Sequence, residues 1–298
     1  MVTSIGYGIG TRLRKAVGQG ALRRMDAGAG EGTCIAVAAQ KGGVGKTTTA
    51  VHLAASLAED HQLEVLLIDL DNQGHVASSL RAHLRSGAAQ TVSSVLLGRD
   101  LDLMAAVVPT NIPHLSVTGA DRQLSNTEAQ LASRIGRELL LRRALRSARR
   151  RFDVIILDCP PNLGLLTLNG LVAAERVLVP CDLSILSLEG VDDLMTTLGN
   201  LDTMLGRAPE LLGLVHTRVD RRNKRQNATI RSAVAERYAG HVLATEIGVN
   251  TDISGAQLVG KTIFAAYPNA RGADDYRALA DEVVSRIWPA RHAAAPAA

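Results

Sequence analysis

The sequence predicts an α/β fold: a P-loop three-layer sandwich in which a mostly parallel central sheet is flanked by helices. Two observations predict it. An apolar run, Cys34-Ile35-Ala36-Val37-Ala38-Ala39, enters a glycine-rich loop at Gln40-Lys41-Gly42-Gly43-Val44-Gly45-Lys46-Thr47-Thr48, and an apolar-periodic run (Ala50, Leu53, Ala54, Leu57, Ala58) leaves it. That order reads as buried strand, loop and helix. Further short apolar runs follow, and two of them end in acids: Val65 to Asp69 and Val154 to Asp158. Acids at the carboxyl end of buried strands lie where open α/β sheets bind ligands.

The loop has a definite chemistry. Three glycines in four positions let several backbone N–H groups turn inward at a helix N-terminus, where partial positive charge collects. Such a nest suits a polyphosphate. Lys46 adds a point charge at the β- and γ-phosphates, and the Thr47 hydroxyl would sit on Mg²⁺. The general pattern asks for Gly five residues before Gly45. Gln40 stands there instead, and a second lysine, Lys41, opens the loop.

Bulk properties bound the rest. The 298 residues suffice for one large α/β domain or two small ones, and 46% hydrophobic with 21% charged residues is ordinary for a globular chain. No apolar run approaches the ~20 residues of a membrane span, and the N-terminus has no continuous apolar stretch of the signal-peptide kind. Cys34, Cys159 and Cys181 are dispersed in strand-like runs and form no C-x-x-C pair, which points to small buried hydrophobes in a cytosolic protein. The net charge of +4 is compatible with an acidic partner. With only 2% aromatics, nucleic-acid contact would go to duplex phosphates rather than stacked bases.

In chain order, residues 1–31 read as a flexible, basic extension, 32–289 as the folded domain, and 290–298 as a disordered Ala-rich tail. Residues 75–124 alternate short pieces, with Val92 to Leu97 helical and Leu115 to Val117 a strand. A long helix is expected over 125–151. It carries Arg142, Arg146 and Arg149 or Arg150 at helical spacing, a cationic stripe that is either solvated or a phosphate-binding face. Strands are expected at Val177 to Pro180, Leu211 to Val215 and Val242 to Ile247, and an amphipathic helix ends near Trp288. Between them lies the densest basic segment: Arg218, Arg221, Arg222, Lys224 and Arg225.

Lys41-Gly42-Gly43-Val44-Gly45-Lys46-Thr47 resembles the deviant Walker A loop of the ParA/MinD class of ATPases. Asp69-Leu70-Asp71-Asn72-Gln73-Gly74 resembles the second signature of that class, with Asn72 in place of proline, and Asp158-Cys159-Pro160-Pro161 resembles its Walker B segment. The resemblance spans roughly residues 33–288. It implies ATP and Mg²⁺ as cofactors, held by residues 41–48: Lys41, Gly42, Gly43, Val44, Gly45, Lys46, Thr47 and Thr48. It implies that Lys41 reaches across a dimer to the partner's nucleotide and that Asp71 positions or activates the attacking water. It further implies that Asp69 and Asp158 support the metal with Thr47, and that Thr217 and Arg218 lie near the adenine.

The implied activity is slow ATP hydrolysis by a homodimer that forms on ATP binding and grips duplex DNA nonspecifically. A ParB-like adaptor would stimulate it, and the location would be cytoplasmic and nucleoid-associated. The family stretch Pro-Arg-Asn-x-Arg-Leu-Ser appears here as Gly248-Val249-Asn250-Thr251-Asp252-Ile253-Ser254, without its two arginines. DNA contact is therefore expected at Arg218, Arg221, Arg222, Lys224 and Arg225. Cys181-Asp182-Leu183-Ser184 departs from the family's Gln-x-Glu-Tyr, so no catalytic role is expected of Asp182. A MinD-like membrane switch is the alternative, but the sequence after Pro289 lacks large apolar residues. A reductase like the nitrogenase iron protein would need cluster cysteines that do not match. A small-molecule ligase using the same loop would turn over ATP only with its substrate.

Overall fold

The computed structural model describes residues 31–85, 90–119 and 121–289, with the side chains of 224 and 226 left out. The expectations for 1–30 and 290–298 lie outside the described residues. The elements are β1 (Thr33–Val37), α1 (Lys46–Glu59), β2 (Val65–Asp69), α2 (His75–Ser79), α3 (Val92–Leu97), β3 (Val107–Pro109), β4 (Leu115–Thr118) and α4 (Leu124–Leu131). Then come α5 (Leu140–Ala144), α6 (Arg146–Arg151), β5 (Val154–Asp158), α7 (Leu165–Ala173), β6 (Arg176–Cys181), α8 (Ile185–Leu205), β7 (Glu210–Val219) and α9 (Lys224–Arg237). The chain closes with β8 (Val242–Gly248), α10 (Thr251–Leu258), α11 (Ile263–Ala266) and α12 (Arg271–Ile287).

Among the described residues the sheet has eight strands, in the order β3-β4-β2-β5-β1-β6-β7-β8. Every pairing is parallel except β3 with β4, an antiparallel edge that the sequence reading did not find. Alternate residues of each central strand serve opposite faces. Cys34, Ala36, Leu66 and Ile68 pack in one core; Ile35, Val37, Val65 and Leu67 pack in the other. A sheet covered on both faces explains why its strands read as unbroken apolar runs. All three cysteines are buried and unpaired, as expected.

The expected long helix over 125–151 is instead broken into α4, a 3-10 turn at Arg137–Leu139, α5 and α6. The first piece ends at Leu131, and Gly136, in a left-handed conformation (φ 68°), opens the 3-10 turn. The fully buried Asn169 of α7 holds the break open: its amide donates to the Arg137 carbonyl at 2.8 Å, and its Oδ1 accepts from the Leu141 N–H at 3.1 Å. Apolar spacing alone could not show that a side chain 28 or more residues away satisfies these backbone groups.

A buried histidine ties the C-terminal elements to α1. His52 donates from Nδ1 to the Thr48 carbonyl at 2.8 Å, and its Nε2 accepts from the Ile263 N–H at 3.1 Å. It stacks on Tyr276 of α12 with ring centroids 4.8 Å apart. Burial pushes its pKa down to about 4, so it is neutral in the fold. An unfolded histidine titrates near 6.5, so the unfolded state binds the extra proton as pH falls from 6.5 towards 4, and stability is lost across that window. His52→Gln is expected to destabilise the protein at pH 7 yet flatten this acid slope, by up to ~1.4 kcal/mol per pH unit. Urea midpoints at pH 7, 5.5 and 4.5 check it; an unchanged slope would show that other groups set the acid response.

Candidate functional site

The site lies along the carboxyl edge of the three central strands. Asp69 of β2 and Asp158 of β5 are register partners, and Asp158 is also opposite Val37, the last residue of β1. The sheet therefore brings both acids and the start of the glycine loop side by side. Gly43 and Gly45 hold φ of +76° and +86°, which only glycine adopts without strain. Gly45 caps α1, and no side chain occupies that cap. The N–H groups at the start of this 14-residue helix are thus left without a side-chain cap, the feature that suits an anion. Val44 is buried and anchors the loop in the core.

The two lysines of the loop serve different places. Lys46 is 7% exposed, and its Nζ donates to the Lys41 carbonyl at 3.1 Å. Burial lowers its pKa, while Asp158 and Asp71 oppose that shift. Lys41 instead donates to both oxygens of Asp182, at 3.0 and 2.8 Å, and to the Ser184 hydroxyl at 2.9 Å. Asp182 also accepts from Ser184 Oγ at 2.6 Å and Ser187 Oγ at 2.5 Å, and with these three partners its carboxyl is held below the usual range. Sequence reasoning missed this acceptor; its one signal was the departure from the family pattern at Cys181-Asp182-Leu183-Ser184.

The acids differ just as much. Asp158 is fully buried; the Thr47 hydroxyl lies beside it, but neither of its oxygens receives a well-formed hydrogen bond from the described residues. Burial and then Asp69 drive its pKa well up, partly opposed by Thr47 and Lys46. A naked buried carboxylate beside a threonine is the donor set a hard divalent cation accepts together with phosphate oxygens and water. Asp69 is already engaged: its Oδ1 accepts from the Asp71 N–H at 3.0 Å and its Oδ2 from the Val76 N–H at 3.3 Å. Burial pushes its pKa up to about 7. Its visible work is to shape the 69–76 turn and so to place Asp71. Asp71 is half-buried and accepts from the Gln73 N–H at 3.0 Å through one oxygen only.

Thr217 and Arg218 reach the loop from β7. The Thr217 hydroxyl donates to the Val44 carbonyl and the Arg218 Nη1 to the Gly43 carbonyl, both at 2.7 Å. Their visible contacts brace the loop. Thr48 accepts from the Gln257 amide at 3.0 Å. A cavity of about 370 Å³ opens beside the loop, lined among others by Lys41, Gly42, Asp182, Arg218 and Asn223.

The basic segment that follows is partly neutralised. Arg222 grips Asp220 through two nitrogens at 2.8 and 2.9 Å, and Arg221 lies 3.7 Å from Asp275. The first is largely exposed and the second is long, so both are of small energetic weight. Arg225 is exposed, with no ion pair among the described residues, and Lys224 opens α9.

Comparison with known proteins gives the site a context. A family described as an AAA domain matches residues 32–208. The sporulation initiation inhibitor protein Soj of Bacillus subtilis is 37% identical over 254 residues, covering 85% of this chain and 99% of Soj. The chromosome partitioning protein ParA of Myxococcus xanthus is 36% identical, covering 87% and 90% of the two chains. Among solved structures, cobyrinic acid a,c-diamide synthase of Mycobacterium smegmatis with bound ADP and magnesium superposes with a TM-score of 0.73 at 36% identity, over 87% of this chain and 97% of the other. A Cyanothece McdA–ATP complex shares the fold, with a TM-score of 0.74 at 21% identity and 87% and 97% coverage.

The unpartnered Asp158 carries a stability cost that a substitution can reveal. A carboxyl whose pKa is raised on folding loses stability as pH rises above its unfolded value. In metal-free protein, Asp158→Asn is expected to stabilise the fold by about 0.5–2 kcal/mol, and by more at pH 8 than at pH 6. Urea denaturation in EDTA at both pH values measures this. A variant less stable than wild type at pH 8 would show that the carboxylate has a partner.

Proposed function

The chain belongs to the ParA/Soj family of partitioning ATPases, and on that footing we propose that it is an ATP-dependent dimerising switch that positions a cargo on duplex DNA. The observation that carries this reading is the division of labour between the lysines. Lys46 serves its own loop, while Lys41 is parked on Asp182 and is free to be exchanged onto another acceptor. In the proposed cycle, the helix N-terminus of α1 and Lys46 bind the polyphosphate of ATP, and Thr47 and Asp158 hold Mg²⁺. When bound, the cation neutralises phosphate charge. Asp71, fixed by the turn that Asp69 shapes, orients water for attack. Lys41 leaves Asp182 for the partner's nucleotide. Asp182 keeps two hydroxyl donors from Ser184 and Ser187, so its charge stays solvated by the protein after the exchange.

The DNA surface is proposed at Arg218, Arg221, Arg222, Lys224 and Arg225, doubled by dimerisation. Hydrolysis, stimulated by a ParB-like adaptor, returns the dimer to monomers and so acts as a timer in the cytoplasm at the nucleoid. The 36% identity to a cobyrinic acid a,c-diamide synthase supports a second reading, an amide-forming ligase on the same loop. That enzyme would consume ATP only when given a carboxylic acid and a nitrogen donor, whereas the switch hydrolyses ATP without either.

Three variants test the cycle. Lys46→Ala should weaken ATP binding by about 10–100-fold in calorimetry, the weight of a charge-assisted contact. Lys41→Ala should retain ATP binding but show no ATP-dependent dimer by light scattering, and Asp71→Ala should give a dimer that persists because hydrolysis stops. A dimer in the Lys41 variant would sink the exchange.

The DNA reading has its own measurement. Wild-type affinity for duplex should require ATP and fall ~10³–10⁵-fold between 50 and 200 mM salt if six to ten phosphates are contacted. Arg221→Glu/Arg222→Glu/Arg225→Glu should lose duplex binding and keep ATP binding. An unchanged salt slope in that variant would place the DNA surface elsewhere.

A further inference from the structure

The cationic stripe of the 140–151 region is not used by the cycle above, and the fold gives it a definite shape. Arg142, Arg143, Arg146, Arg149 and Arg207 line a cavity of about 470 Å³ together with Leu139, Glu31 and Glu175. It lies at the amino-terminal edge of the sheet, where β1 and β6 begin. The nucleotide loop leaves the other end of β1, at least ~16 Å away along five residues of strand. The lining carries five guanidinium groups against two carboxylates, a net charge of +3.

The floor of this cavity is built and rigid. Glu175 accepts from Arg149 Nη1 at 2.8 Å, from the Cys34 N–H at 2.9 Å and from Arg207 Nη2 at 2.9 Å. Arg149, only 7% exposed, also donates to the Ala173 carbonyl, and Arg207 Nε donates to the Val172 carbonyl at 3.2 Å. Gly32 locks the entering strand beside it, because a Cβ there would stand 1.9 Å from the Phe152 carbonyl oxygen. Glu175 thus spends its charge on Arg149 and Arg207. Arg142, Arg143 and Arg146 form the wall, and their side chains make no ion pair or hydrogen bond among the described residues. Partial burial first, and then the positive neighbours Arg207 and Arg149, lower the pKa of Arg142. Converging cations with too few counter-charges repel one another until an anion joins them.

We propose that this cavity is a second binding site, for a compact ligand carrying two or more phosphoryl groups. Guanidinium forks match phosphate oxygens two at a time, and the fixed Arg149 and Arg207 supply charge at the floor while the three wall arginines close over the ligand. The volume falls in the range of small-molecule pockets. A duplex presents its phosphates along an extended ridge, which an exposed stripe would fit better than a recess with a buried arginine at its base.

The test is calorimetry on the full chain with inorganic pyrophosphate in EDTA. Wild type should show two sites, one at the glycine loop and one at the arginine cavity. Lys46→Ala should lose or weaken the first and keep the second. Arg142→Ala/Arg146→Ala should weaken the second by at least ~10-fold and keep the first. Both positions are exposed and unpaired, so this variant should fold, and unchanged ADP binding at the loop verifies it. The proposal is overturned if the double variant binds pyrophosphate as wild type does, or if Lys46→Ala abolishes all binding. It is equally overturned if pyrophosphate never occupies the cavity while the double variant loses binding to a 20-base-pair duplex, since the surface would then serve DNA. Failure of the loop assignment would instead appear as two intact sites in Lys46→Ala.

Discussion

Two acids forced into the same register on neighbouring buried strands are the constraint on which this structure turns. Asp69 and Asp158 sit opposite one another where water is excluded; burial raises the cost of charging both, and Asp69 adds to the cost at Asp158. The protein resolves the conflict unequally. Asp69 is given two backbone N–H donors and becomes a structural element of the 69–76 turn. Asp158 is given none of comparable quality and keeps its coordination free. A stability-minded sequence would remove that second acid. Its presence is the mark of a site shaped for a counter-charge brought in from outside.

Much of this was legible in the sequence because the signals are local. A buried parallel strand reads as an apolar run, and a phosphate loop reads as glycines at fixed spacing before a periodic helix. Those patterns located β1, α1, β2 and β5 and the acids that end two of them. What could not be read depends on groups far apart in sequence. The break at Gly136 needs Asn169, Lys41 finds Asp182 141 residues away, and Thr217 reaches Val44 across 173. The short edge strand β3 has only three residues and one buried position, too little for a pattern to register. Asp69 and Asp158 look equivalent in sequence, since each closes an apolar run. Only the hydrogen bonds distinguish the acid that holds the turn from the acid that stands free.

The basic segments show why counting charges misleads. The residues from Arg218 to Arg225 are dense in cations, yet Arg218 is committed to a loop carbonyl and Arg221 and Arg222 face Asp275 and Asp220. The 142–149 stripe is no denser, but most of its guanidinium groups are left without local carboxylates. What matters to an incoming anion is the field after internal pairing, and that field is set by tertiary contacts.

The brace from β7 to the glycine loop has a mechanical meaning. Arg218 sits in a left-handed backbone conformation (φ 54°) that its guanidinium contact with Gly43 helps to hold, and Arg221 follows three residues later. The loop and the basic segment therefore share one short, stiff linkage with no glycine between Arg218 and Arg225 to absorb a displacement. Any ligand that shifts the carbonyls of Gly43 and Val44 pulls on the start of that segment directly, as a crank turns its shaft. Communication between the phosphate site and the outer surface can thus run through two hydrogen bonds and a few peptide units, without a rearrangement of the sheet.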